Sequence, residues 1–163
     1  MHFLKTFTDS LNKGLVWVAG AILMVMVFLT FANIVLRLLW LPISGTVELM
    51  GYFGAIVTAF ALGYTQLRKG HISVDILVLG FSQKTQRNLA WINDLICMAF
   101  FAAVAWQLTR YAGTLWKTGE VSETLRFPYF PFTYGVALGC AVLSLVFLTD
   151  FLNLMVRNGG DET

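Results

Sequence analysis

The side chains able to do chemistry are few, and nearly all stand where an apolar run ends. His71-Ile72-Ser73-Val74-Asp75 follows Gln66-Leu67-Arg68-Lys69-Gly70 at the end of one such run. Arg37 and Glu48 flank the short stretch Leu41-Pro42-Ile43-Ser44-Gly45-Thr46, and Asn93, Asp94 and Asp150 lie near the ends of later runs. His2 and His71 are the only histidines, and neither is inside an apolar run, so axial haem ligation from within a helix has no candidate. Cys97 and Cys140 are inside apolar runs without metal-ligand spacing and read as small packing residues. Ser73 has no partner that would activate it, and no phosphate loop is present. The expectation is a chain that is not an enzyme, with no catalytic, substrate-binding, cofactor-binding or metal-binding residues of its own.

The elements that must position these residues are set by composition. Of 163 residues 58% are hydrophobic and 12% charged, and the mean hydropathy is +0.73. Soluble domains carry about 25% charged residues. The chain therefore reads as an all-α integral membrane protein, a single domain over residues 1–163. A net charge of +2, with the basic residues beside the apolar runs, excludes nucleic acid as a partner and leaves membrane lipids.

Four spans fit, over about residues 16–40, 47–67, 89–111 and 132–155. Each is long enough to cross a hydrocarbon core of about 30 Å. Trp17, Trp40, Trp91, Trp106 and Tyr111 fall near span ends, as interfacial belts require. The first apolar run is too long for the core of a signal peptide, and Arg37-Leu38-Leu39-Trp40 offers no small-residue cleavage site. Four spans put both termini on one side. That side carries Lys5, Lys13, Arg68, Lys69, Lys84, Arg87 and Arg157, against Arg37, Arg110, Lys117 and Arg126 opposite. The excess of basic residues predicts cytoplasmic termini.

The loops differ. Pro42 and Gly45 break the helix between the first two spans, Ser44 or Thr46 is placed to cap the second, and Glu48 falls in its first turn. After the second span, Ile72, Val74, Ile76, Leu77, Val78, Leu79 and Phe81 are apolar but too few to cross, which predicts a short cytoplasmic interfacial segment. Ser82 is placed to cap a third helix that starts before the membrane. Arg126-Phe127-Pro128-Tyr129-Phe130-Pro131 suits a surface stretch that ends where Pro131 opens the fourth helix.

Gly51, Ala55, Ala59 and Gly63 recur every four residues and predict a small-residue face for helix packing, and Gly135 and Gly139 form a shorter GxxxG. Whether these faces meet within the chain or dock a larger membrane partner is open at this level. A proton relay or ion site would want ionisable groups near the bilayer midplane, and a substrate path would want interrupted helices. The charges at span ends point away from a transport pathway formed by this chain alone.

Three stretches resemble the small membrane subunit, the Q-type component, of tripartite ATP-independent periplasmic (TRAP) transporters. They are Asn33-Ile34-Val35-Leu36-Arg37, Ser44-Gly45-Thr46-Val47-Glu48-Leu49 and Gly70-His71-Ile72-Ser73-Val74-Asp75. The last looks like the family's His-Ile-x-Val-Asp signature, and a weaker match covers Gly119 to Gly139. Family members often carry Trp just before the Glu, where this chain has Val47. The resemblance implies family-motif roles for Asn33, Arg37, Glu48, Gly70, His71 and Asp75. It implies a bacterial inner-membrane scaffold subunit supporting a large multi-span subunit of elevator type. That partner holds the substrate and the sodium ions, and a periplasmic substrate-binding protein delivers a carboxylate or sulfonate. The alternative is a small membrane-anchor subunit of a redox or other membrane enzyme complex.

Overall fold

A computed structural model describes residues 2–41, 43–68 and 83–159. Four helices account for nearly all of it: α1 (His2–Leu38), α2 (Thr46–Leu67), α3 (Gln83–Thr118) and α4 (Phe130–Gly159). All four are long and apolar enough to cross a membrane. Among the described residues there is no strand, only an isolated bridge between Val121 and Pro128. The predicted interfacial segment lies outside the described residues.

α1, α3 and α4 outrun the predicted spans. α1 starts at His2 rather than near Val16. Its 37 residues measure about 55 Å at 1.5 Å per residue, well beyond a hydrocarbon core. The added turns are held by Thr8 and Asn12, which are buried, with the Asn12 amide donating to the Thr8 carbonyl at 2.8 Å. α3 begins at Gln83, the residue after Ser82, and runs on to Thr118. Pro131 is the second residue of α4, where its missing N–H costs no helical bond.

Helix order in space is not helix order in sequence. α4 packs most extensively on α3 and also on α2, while α1 packs on α2 and only lightly on α4. The lateral order is therefore α1, α2, α4, α3, and α4 supplies many of the buried apolar residues, among them Leu143, Val146, Val142 and Ala137. The two outer helices keep broad apolar surfaces exposed. Phe28, Phe31, Ile34 and Leu38 on α1 and Ile96, Phe100 and Trp106 on α3 are all more than half exposed.

The two seams of α4 are built differently. Towards α3 it is aromatic, with Phe101 parallel to Phe147 (centroids 6.1 Å apart), Trp91 against Phe151 (5.2 Å) and Trp116 against Phe130 (4.8 Å). The Ser144 hydroxyl adds a hydrogen bond across it to the Met98 carbonyl at 3.1 Å. Towards α2 the seam is made of small residues. A Cβ on Gly139 would lie 2.7 Å from Ala59 Cβ and 2.8 Å from the Ala59 carbonyl carbon and oxygen. Only a hydrogen fits there. A Cβ on Gly135 would lie 3.2 Å from the Ile56 side chain.

Candidate functional site at the connected helix ends

The end of the molecule that carries the α1–α2 and α3–α4 connections gathers three of the predicted residues, Asn33, Arg37 and Glu48. α1 stops in a Schellman-type turn: the Leu41 N–H donates to the Leu36 carbonyl (3.0 Å) and the Trp40 N–H to that of Arg37 (3.2 Å). Trp40 occupies the left-handed position of this turn, at φ 62°, where glycine is usual. Asn33, one turn before Arg37, accepts a hydrogen bond from the Ile43 N–H through Oδ1 at 2.9 Å. Its side chain thus fixes the connection to the helix just left.

α2 is not capped as the sequence predicts. Its N-cap is Gly45, at φ 79° and ψ 4°, with no side-chain capping bond. The Thr46 hydroxyl instead donates backwards, to the Ile43 carbonyl at 2.8 Å. Gly45 serves a different purpose: a Cβ there would collide with the Leu125 side chain from the α3–α4 connection. The backbone conformation and the space both demand glycine.

The α3–α4 connection folds over this end of α2. Ser122 is almost fully buried. Its N–H donates to the Phe127 carbonyl (2.8 Å), its carbonyl accepts from the Arg126 N–H (3.2 Å), and its Oγ accepts from the Phe127 N–H (3.3 Å). Arg126 takes a left-handed conformation at φ 52° to close this turn. The tip, Thr124-Leu125, then reaches α2. The Thr124 N–H donates to Glu48 Oε1 at 3.1 Å, and Leu125 fills the space beside Gly45. Tyr52, one turn further along α2, meets Tyr129 edge-on at 5.5 Å and stacks on Phe132 at 4.9 Å.

Arg37 and Glu48 line one open cleft of about 440 Å³ with Asn33, Ile43, Val47 and Thr124. They do not form an ion pair with each other. Glu48 is taken by a loop 76 residues away, and its Oε2, though shielded from water, has no hydrogen-bond partner. The Arg37 side chain is exposed and has no hydrogen-bond or ion-pair partner among the described residues. Thr124, Ser122, Leu125 and Gly45 belong to the site but were not among the predicted residues. A Gly flanked by Ser44 and Thr46 at a helix start was the one signal available for any of them.

The predicted packing residues separate into two sets. Ala59 and Gly63 are buried, Ala59 against Gly139 and Gly63 against the Asn12 side-chain oxygen. Gly51 and Ala55 are exposed, and a Cβ on Gly51 would meet nothing within 4 Å. A single face was expected from the four-residue repeat, but each step of four advances about 40° beyond a full turn. Over the twelve residues from Gly51 to Gly63 the stripe rotates by about 120°, onto a different neighbour. Elsewhere, the Gln66 amide of α2 donates to Asp150 Oδ2 of α4 at 3.3 Å, and Asp94 of α3 is largely buried. Gly70, His71 and Asp75 lie outside the described residues.

No curated protein and no solved structure matches the chain. A family model does, over residues 26–157, described as tripartite ATP-independent periplasmic transporters, DctQ component. The match takes in the whole connected end of the molecule, all of α2 and α3, nearly all of α4 and the C-terminal part of α1. The chain is a multi-pass membrane protein that belongs to the DctQ family, the small subunits of TRAP transporters.

Proposed function

We propose that the chain is the static scaffold of a sodium-coupled importer of organic anions, carboxylates or sulfonates, delivered by a periplasmic binding protein. In this reading the large membrane subunit carries substrate and sodium through elevator-like motion, and this chain holds its frame in the bacterial inner membrane. It contributes no catalytic group. The observation that carries the reading is the family match together with four uninterrupted helices whose charged residues gather at their ends. A moving substrate site calls for interrupted helices and midplane charge. A rigid wall calls for continuous helices and close seams, such as Gly139 on Ala59.

The termini are placed in the cytoplasm and the Glu48–Thr124 end in the periplasm, where the folded α3–α4 connection offers a surface to the binding protein. Single cysteines at Lys84 and Lys117, in a chain lacking Cys97 and Cys140, check the orientation. An impermeant thiol reagent added outside is expected to label the Lys117 site alone. Affinity purification of the tagged chain from native membranes tests the assignment. Recovery of a large multi-span partner without haem is expected, whereas a cofactor-bearing enzyme in its place would overturn it.

A further inference from the structure

We propose, on the reading that the chain scaffolds a large transport subunit, that it docks that subunit through the outer face of α3 at Gln107 and Arg110. A carboxylate on a membrane-crossing helix of the large subunit pairs with the Arg110 guanidinium. Gln107 and Arg110 are both exposed, and neither side chain has a hydrogen-bond or ion-pair partner among the described residues. Their spacing of three puts them on one side of the helix, where Trp106, Tyr111 and Thr114 are exposed beside them. The other side of α3, with Ala105, Ala112 and Leu115, is buried against α4.

Unlike most charges of the chain, Arg110 is not at a helix end. It lies about two turns inside the end of α3 at Thr118. The seams give its depth. Trp116 meets Phe130, and a Cβ on Gly113 would lie 3.8 Å from the Tyr134 hydroxyl, so the next turn of α3 brings Arg110 level with about Gly135. Gly135 in turn lies against Ile56, near the middle of α2 (Thr46–Leu67). The 22 residues of α2 measure about 33 Å, hardly more than a hydrocarbon core, so its middle is in hydrocarbon. A charge at that depth is costly in lipid and is paired within protein, and an arginine snorkels to headgroups only from near a helix end. The Gln107 amide, one turn away, adds a donor and an acceptor that acyl chains do not meet.

Polar groups on other exposed faces are satisfied within the chain. The Thr30 hydroxyl donates to the Met26 carbonyl and the Thr58 hydroxyl to that of Gly54, each at 2.8 Å. The outer face of α1 at Phe28, Phe31 and Ile34 presents apolar surface that lipid covers without cost. A helix bearing a carboxylate therefore fits the outer face of α3 and not that of α1.

The test is recovery of the large subunit with the tagged full-length chain from native membranes, together with a photo-crosslinking side chain placed at Ala103, exposed one turn before Gln107, or at Phe28 on α1. Crosslinks to the large subunit are expected from Ala103 and not from Phe28. Arg110→Gln is expected to lower recovery about tenfold, the loss of one charge-assisted hydrogen bond. Arg110→Glu is expected to lower it further, and Lys117→Gln, at the helix end, to leave it unchanged. The melting temperature of the isolated Arg110→Gln chain is expected to equal that of the wild type. Undiminished recovery with Arg110→Glu, or crosslinks from Phe28 but not from Ala103, would overturn the proposal and leave the scaffold reading standing. Crosslinks from Ala103 to phospholipid alone would overturn it in favour of a lipid-facing cation. A fall in recovery matched by a fall in melting temperature would make Arg110 a structural residue of this chain, against the proposal. Recovery of no large subunit by the wild type would overturn the scaffold reading and the proposal together.

Discussion

Ala59 and Gly63, in the half of α2 nearer its C-terminus, lie against α4 and α1 with no room for another carbon. Gly45, Thr46 and Glu48, at its other end, engage the connections through hydrogen bonds and a turn that only glycine tolerates. The first region works by close approach, which in lipid is the main source of helix association because lipid tails are as apolar as the side chains. The second works by directional bonds at a surface where water competes. The difference teaches what each region is suited to do. A seam of close-packed backbone keeps two helices at one fixed distance. A loop held by a carboxylate, a glycine and an aromatic pair keeps a shape that another molecule can read.

The sharpest way to break the comparison is to put a side chain into the seam. Gly139→Leu would drive a Cβ into the Ala59 backbone, which cannot swing aside as a side-chain tip can. Overpacking of this kind costs about 1–3 kcal/mol and more where backbone must move. A large fall in the melting temperature of the purified chain is expected, and a wild-type melting curve would show the seam to be dispensable.

At the connected end the corresponding change is Gly45→Ala. It must hold an L-residue at φ 79° and also displace Leu125. The left-handed backbone alone costs about 1–2 kcal/mol. Destabilisation smaller than that of Gly139→Leu is expected, together with faster protease cleavage between Gly119 and Tyr129. Faster cleavage without any change in melting would separate the two regions most cleanly.

Glu48→Gln is a smaller lesion, because the amide keeps an acceptor for the Thr124 N–H but loses the charge. A spin label at Glu123, exposed next to Thr124, is expected to gain mobility while the melting temperature hardly moves. The charge-swapped pair Arg37→Glu with Glu48→Arg is expected to show additive losses, since the two side chains do not pair. Recovery in the double variant would mean that they do.

The smallest effect on the chain itself is expected at Gly51 and Ala55. Both are exposed, so Gly51→Leu and Ala55→Leu are expected to leave the isolated chain within about 0.5 kcal/mol of wild type. Loss of the large membrane partner from affinity-purified Ala55→Leu would mark this turn of α2 as its docking face. Undiminished recovery would place the partner elsewhere.

How much of this was legible in the sequence follows the same division. Four crossing helices were readable because length and hydropathy act locally, and Pro131 marked the start of α4 for the same reason. The ends were less so: α1 reaches back to His2 because Thr8 and Asn12 are buried by another helix, a long-range fact. The repeat from Gly51 to Gly63 gave the right residue types and the wrong geometry, since a four-residue period is not the helical period. Glu48 stood out as a charge beside a tight turn, and Arg37 was its nearest opposite charge in the chain. Its actual partner, Thr124, is a residue of no distinguishing type, brought close only once α3 and α4 have folded back.

The central claim is that this chain frames transport without conducting it. Purified chain, purified large subunit, and the two together are to be placed in separate vesicles with a sodium gradient, with binding protein and its organic anion outside. Uptake is expected only where both membrane subunits are present, and none with this chain alone at any gradient. Sodium-dependent uptake by this chain alone, or full uptake by the large subunit without it, would contradict the account.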